Sequence, residues 1–171
     1  MDQNRLSLIV PAFNEEKTIV KVLDRIFSFL PDVHEVLVID DGSTDCKLDV
    51  AYDYSLQQPR VQLFRHKTNK GKTAALRIGF AAATGSIVVI QDADLEYDPC
   101  EIPDLIVPIK EGIADVCLGS RFLVRRAGRV LYHRHFLANK FLTFLNNVLT
   151  DLNITDVETG YKACRTEIPK T

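Results

Sequence analysis

Short apolar runs alternating with stretches of helical periodicity set the strongest limit on how this 171-residue chain folds. "RLSLIVPAF" reads as a strand ending at Pro11, and "HEVLVIDDGS", "RVQLFRH" and "SIVVIQDADLE" read as three more. After the first, Ile19, Val22, Leu23, Ile26, Phe27 and Leu30 recur at the spacing of an amphipathic helix. Its early acids, Glu15 and Glu16, suit the positive end of a helix dipole. A second helix spans Asp45 to Gln58. "TNKGKTAALRIGFAAATG" reads as a loop and an alanine-rich helix capped by Gly85. A helix at Glu101–Lys110, a strand in "ADVCLGSR", a basic stretch from Arg121 to Arg134 and a helix in "FLANKFLTFLNNVL" follow. "TDVETGYKACR" supplies a turn and a short strand. This alternation predicts an α/β fold, a Rossmann-like, doubly wound, mostly parallel sheet flanked by helices. No repeat or linker interrupts it, so residues 1–171 read as one domain with a substantial core.

In such sheets ligands sit beyond the carboxyl ends of the strands. Those ends carry Pro11 to Glu15, Asp40 and Asp41, the acids of "QDADLEYDP", and Arg121. If that acidic stretch stays extended, Asp92, Asp94, Glu96 and Asp98 project to one side. Carboxylates so crowded favour a proton or a hard cation such as Mg²⁺, Mn²⁺ or Ca²⁺. A calcium EF-hand is excluded, because Tyr97 and Pro103 stand where the loop needs glycine and glutamate. An aspartyl phosphatase fits less well, since Glu96 occupies a position that needs a small residue. The plain structural alternative is a solvated acidic loop capping the helix near Pro103.

Other motifs are two-sided. Gly71-Lys72-Thr73 looks like the end of a P-loop, but His66 replaces the glycine required five residues earlier. What survives is a glycine turn at a helix N-terminus, with Lys70 and Lys72 facing either a nucleotide or solvent. "DDGSTD" is turn and N-cap chemistry as readily as a site. His133 and His135 point apart on a helix and make a poor metal pair. Arg121, Arg125, Arg126, Arg129 and Arg134 suit a multiply charged anion or a solvated basic loop.

A net charge of −2 gives no global attraction to nucleic acid or anionic lipid. Cys46, Cys100, Cys117 and Cys164 lack metal spacing and read as buried, reduced thiols of a cytoplasmic protein. The N-terminus has no signal-peptide pattern. No run approaches the roughly 20 apolar residues of a membrane helix. The expected location is the cytoplasm, with the cytoplasmic face of a membrane as a place of work. The last helix is broadly apolar at Phe136, Leu137, Phe141, Leu142, Phe144, Leu145, Val148 and Leu149. Core packing is its first reading; a membrane-surface helix and a homodimer face are the alternatives.

"VPAFNEE", "VIDDGSTD", "NKGKTAALRIG", "QDADLEYDP", "GSR" and "TDVETGYKACR" occur in one order across nearly the whole chain. Together they resemble the family 2 inverting glycosyltransferases, most of all the dolichol- and polyprenyl-phosphate sugar transferases. The resemblance implies a GT-A fold, a nucleoside-diphosphate sugar donor (UDP- or GDP-) and Mg²⁺ or Mn²⁺. It places Pro11, Ala12, Glu15 and Asp41 around the base and ribose, with Gly71 and Lys72 on the donor side. It makes Asp92 and Asp94 the metal-holding DxD pair, Glu96 a third metal contact, and Arg121 and Arg134 partners of the acceptor phosphate or leaving diphosphate. Ala138 departs from the pattern, standing where a small hydroxyl residue is often found. The implied reaction is displacement at the anomeric carbon onto a polyprenyl or dolichyl phosphate. Transfer to a sugar hydroxyl in cell-envelope polysaccharide synthesis is the alternative, with Asp156 as base; donor binding without turnover is a third. The resemblance also implies a usual C-terminal extension beyond Thr171. A sugar-phosphate nucleotidyltransferase is disfavoured, because "PAFNEE" replaces the glycine-rich basic loop it needs.

Overall fold

The computed structural model describes residues 4–44, 47–120 and 133–170. Among these residues six strands, β1 (Leu6–Ala12), β2 (Glu35–Asp40), β3 (Val61–Arg65), β4 (Ile87–Ile90), β5 (Val116–Leu118) and β6 (Lys162–Arg165), form one sheet in the order β3-β2-β1-β4-β6-β5. The first four are mutually parallel, and β6 lies antiparallel between β4 and β5. Helices α1 (Ile19–Phe29), α2 (Lys47–Gln57), α3 (Lys72–Ala82), α4 (Ile102–Lys110) and α5 (His133–Thr150) complete the chain.

Helices cover both faces of the central strands, which explains why β1, β2 and β4 are largely apolar rather than alternating. Successive β1 side chains point to opposite faces. Leu8 and Val10 pack with Leu23 and Ile26 of α1 and Ile102 and Ile106 of α4, while Ile9 packs with Ala75 of α3. Pro11 is tolerated inside β1 because β4 pairs with β1 only as far as Ile9, leaving no ladder bond for the missing N–H on that side.

Several expectations about element ends are corrected. Helix α1 begins at Ile19, so Glu15 and Glu16 lie in the turn before it; Glu15 instead accepts a hydrogen bond from Thr18 Oγ1 at 2.9 Å. Strand β4 stops at Ile90, and the acids that follow form turns, with Leu95 at φ 65°. Helix α3 is capped by Ala83, not Gly85. Residue 85 is glycine for space: a Cβ there would come within 2.5 Å of Ser7 Oγ and 2.6 Å of the Arg5 carbonyl oxygen. Cys100, Cys117 and Cys164 are half-buried rather than fully buried.

The largest correction concerns α5. Its buried residues are polar, Asn139 and Thr143, while Phe141, Phe144 and Leu149 are 61%, 62% and 83% exposed. Asn139 donates to Asp156 at 2.7 Å and to Glu158 at 3.1 Å, and Thr143 donates to Asn139 at 2.9 Å. A polar network, not a leucine stripe, therefore holds α5 to the body, and the expectation of core packing fails.

A second buried polar knot ties the opposite end of the sheet. The Glu35 carboxylate accepts from Ser7 Oγ at 2.6 Å, from Thr84 N at 2.6 Å and Oγ1 at 2.9 Å, and from Gln62 Nε2 at 3.1 Å. Burial alone would raise its pKa, but bonds from Ser7, Thr84 and Gly85 outweigh burial and hold it below the ordinary value. A depressed folded-state pKa contributes stability above the unfolded-state value and loses it as pH falls through the folded one. Glu35→Gln should thus cost roughly 1.5–3 kcal/mol near neutrality, the range for hydrogen bonds to a charged group. In urea titrations the gap from the unaltered protein should close as pH falls and Glu35 itself takes up a proton. A gap that stays constant with pH would refute the role of the charge.

Candidate active site

Strand order reverses between β1 and β4, since the chain proceeds outward through β2 and β3 on one side and through β6 and β5 on the other. A crevice opens at the carboxyl ends of such a pair. Here it is a cleft of about 310 Å³. Its lining includes Pro11 and Ala12 at the end of β1, Glu15 after it, Asp41 after β2, Gly71 and Lys72 at the start of α3, and Asp92 and Asp94 after β4. Seven separate strand-end and turn expectations thus converge with Asp94 on one space. Glu96 is not in the lining.

Asp41 is nearly inaccessible and firmly held. Its Oδ1 meets His66 Nδ1 at 2.6 Å and accepts from Lys70 N at 3.0 Å, and its Oδ2 accepts from Gly71 N at 2.7 Å. Burial pushes its pKa up, yet the bonds from Lys70, His66 and Gly71 dominate and keep it low. His66, considered from sequence only as the residue that spoils a P-loop, is therefore a partner of the cleft.

Asp92 pairs with Lys72 Nζ at 2.5 Å. Asp94 accepts from Glu96 N at 2.9 Å. Its pKa is raised, first by partial burial and then by the carboxylates of Asp92, Glu96 and Glu15, against the opposing bond from Glu96 N. These acids share one field, and a cation would relieve their repulsion. Among the described residues no group of three His, Cys, Asp or Glu side chains is placed to hold an ion alone. The donor set fits the other mode open to Mg²⁺ or Mn²⁺, in which one or two carboxylates hold the ion and substrate phosphates and water complete its shell. Asp92 and Asp94 are the two acids that would supply that pair.

A buried apparatus sets the acidic turn. Gln91 is fully buried; its amide donates to the carbonyls of Asp92 at 3.0 Å and Tyr97 at 3.2 Å, and its Oε1 accepts from Tyr161 Oη at 3.0 Å. Tyr97 Oη accepts from Gly160 N at 2.8 Å, and the Tyr97 and Tyr161 ring centroids lie 4.7 Å apart. Asp98 turns away, pairing with Arg25 at 2.5 Å and accepting from Cys100 N.

The described candidates that remain do not line the cleft. Arg121 lies outside the described residues, as do Arg125, Arg126, Arg129 and Cys46. Arg134 is exposed on α5 and does not line the cleft. Asp156 is 0% exposed and bound to Asn139, so it orders α5 and offers no free face to an incoming acceptor. The expectation that it acts as a base fails for that reason.

The fold and its acid-lined switch-point cleft define a GT-A protein. Residues 7–170 match the family model for glycosyl transferase family 2, and the chain belongs to that family. It is 31% identical over 169 residues to a dolichol-phosphate mannosyltransferase of Pyrococcus furiosus, covering 96% of this chain and 47% of that protein. It is 32% identical to a polyprenol monophosphomannose synthase of Mycolicibacterium smegmatis, covering 96% and 63%. Among solved structures, Mycobacterium tuberculosis glucosyl-3-phosphoglycerate synthase in complex with Mn²⁺, UDP-glucose and phosphoglyceric acid superposes with TM-score 0.72. The identity is 27%, over 96% of this chain and 57% of that one. The chain thus spans about half to two thirds of the length of these relatives.

Gly160 carries a local test of the site. A Cβ there would come within 2.5 Å of the Tyr97 ring and 2.7 Å of Asp92 Oδ2. Gly160→Ala should displace both, lowering stability by about 1–3 kcal/mol, as overpacking does. It should also weaken Tb³⁺ luminescence at the acidic turn. Unchanged stability and Tb³⁺ binding would show that the turn does not depend on this contact.

Proposed function

We propose that residues 1–171 form the catalytic domain of a metal-dependent, inverting glycosyltransferase. It moves a sugar from a UDP- or GDP-sugar to a polyprenyl or dolichyl phosphate. The observation that carries this reading is the convergence of Asp41, Lys72, Asp92 and Asp94 on one cleft at the sheet's switch point. The Mn²⁺ and UDP-glucose in the mycobacterial neighbour support the donor and ion. The names of the Pyrococcus and Mycolicibacterium relatives support the acceptor.

On this reading Pro11, Ala12, Glu15 and Asp41 receive the nucleoside, with Asp41 held rigid by His66 and the Lys70 and Gly71 amides. Gly71 and Lys72 face the diphosphate. Asp92 and Asp94 hold the cation, with Glu96 a contact only through an intervening group. A bound divalent ion would supply Lewis-acid stabilisation of the leaving diphosphate. An oxygen of the acceptor phosphate forms the new bond to the anomeric carbon as the bond from that carbon to the donor β-phosphate oxygen breaks. The nucleoside diphosphate leaves with the electron pair. A phosphate monoester is already ionised near neutral pH, so no protein base is required, in keeping with the burial of Asp156. A sugar hydroxyl would need such a base. Arg121 and Arg134 are assigned to the acceptor phosphate or leaving diphosphate.

The exposed face of α5 fits a lipid-borne acceptor. The helix contains no acid, exposes Arg134 and Lys140, and presents Phe141, Phe144, Val148 and Leu149 outward. Apolar surface beside basic residues is the pattern of a helix lying in a membrane interface. No helix among the described residues is long and apolar enough to cross a membrane. A homodimer through α5 is the competing use of this face.

Asp94→Asn should abolish Mn²⁺-dependent binding of UDP and GDP in calorimetry. Asp94 is exposed, so the melting temperature should hold. Undiminished nucleotide binding would remove Asp94 from the site. Phe141→Glu combined with Phe144→Glu should abolish co-sedimentation with phosphatidylglycerol vesicles without unfolding the protein. A protein that never sediments with vesicles, and whose dimer is broken by the same substitutions, would assign α5 to self-association.

A further inference from the structure

Lys162 begins β6 and pairs in register with Ile90, the last residue of β4, which places it beside the start of the acidic turn. Two residues earlier, Gly160 lies against Asp92 Oδ2. The Lys162 side chain is half-buried, and its Nζ makes one long hydrogen bond, to the Val157 carbonyl at 3.3 Å. Among the described residues it has no ion pair. An ammonium has three donors, and a partly desolvated cation left with one weak bond is costly unless an anion joins it. Burial and then the charge of Lys72 lower its pKa, while Asp156 and Asp92 oppose them. The β6 register and the Gly160 contact bring Lys162 to the strand end from which Asp92 follows, and Asp92 is the only carboxylate that Lys72 pairs with among the described residues. Asp156 is already engaged by Asn139. When Asp92 serves a divalent cation, both ammonium groups need another anion.

We propose that Lys162 and Lys72 form a two-lysine subsite that grips a phosphate oxyanion at the Asp92 edge of the cleft. The choice of this anion rests on the donor and acceptor reading above, in which either the leaving diphosphate or the acceptor monoester supplies the phosphate. Lys162 is then a binding residue of the reaction that approaches from β6, outside the lining formed by the β1 and β4 ends.

The test uses inorganic pyrophosphate, UDP, GDP and farnesyl phosphate as separate probes, with Mg²⁺ present, in calorimetry. Lys162→Met and Lys72→Met should each bind pyrophosphate about tenfold more weakly, and Lys162→Arg should recover most of the affinity, with circular dichroism unchanged throughout. On the unaltered protein, pyrophosphate should slow reductive methylation of Lys162, a readout that needs no variant. Pyrophosphate binding equal in Lys162→Met, or methylation that is not slowed, overturns the proposal. With pyrophosphate binding weakened in Lys162→Met, a loss shared by UDP and GDP but not farnesyl phosphate places the oxyanion on the donor, and one shared by farnesyl phosphate but not the nucleotides places it on the acceptor; either upholds the subsite. Normal binding of UDP and GDP, with no probe's binding dependent on Lys162, would keep the donor reading and remove the subsite. Lys162-dependent pyrophosphate binding without any nucleotide binding would do the reverse. Failure of the unaltered protein to bind any of the four removes both.

Discussion

The hydrogen bonds of Gln91 decide where the sheet ends and the chemistry begins. A glutamine buried completely at the end of an apolar strand must satisfy its amide internally, and it does so with the carbonyls of Asp92 and Tyr97 and the hydroxyl of Tyr161. Those bonds fold the acidic segment back on itself directly after Ile90. Tyr97 then reaches Gly160 and Tyr161 reaches Gln91, so β6 and its preceding loop are fastened to the acidic turn. The antiparallel insertion of β6 beside β4 thus belongs to the site as much as to the sheet.

Electrostatics give the cleft its purpose. Asp41 is locked as an anion by a histidine and two backbone amides, whereas Asp94 is pushed toward protonation by its neighbours. Environments that drive two carboxylates in opposite directions separate their roles. Asp41 is preorganised to accept hydrogen bonds from a ligand's N–H or O–H groups. Asp94 and Asp92 together are an incomplete charge arrangement, and Lys72 closes it only on the Asp92 side.

Much of this was legible in the sequence because it follows from period and position. Apolar runs alternating with helices give a parallel sheet, and position at strand ends brings Pro11, Asp41 and Asp92 to one cleft. Legibility failed where a side chain's partner lies far along the chain. Nothing local reveals that His66 meets Asp41 or that Tyr161 meets Gln91, 70 residues away. The extended reading of "QDADLEYDP" failed for the same reason, since period 2 is only a local prior and Gln91 overrides it. A polar residue closing an apolar strand was the one available signal. Asp156 misled in the other direction, because its neighbourhood in "TDVETGYKACR" looks like a site while its partner Asn139 sits on a helix that reads as apolar.

That helix shows how far hydrophobicity can diverge from burial. α5 turns Asn139 and Thr143 inward because Asp156, Glu158 and the Val157 amide await them. The phenylalanines and leucines are left outside by default. Solvent-exposed apolar surface on this scale marks a contact face, and whatever covers it in use relieves the cost of its exposure. The same polar network links α5 through Asp156 and Val157 to Lys162, which accepts its place from both residues: Coulombic attraction from one and a carbonyl hydrogen bond from the other. A contact on the outer face of α5 and an anion at Lys162 therefore act on one connected set of hydrogen bonds. That is a physical route from the outer face of α5 to the acidic cleft.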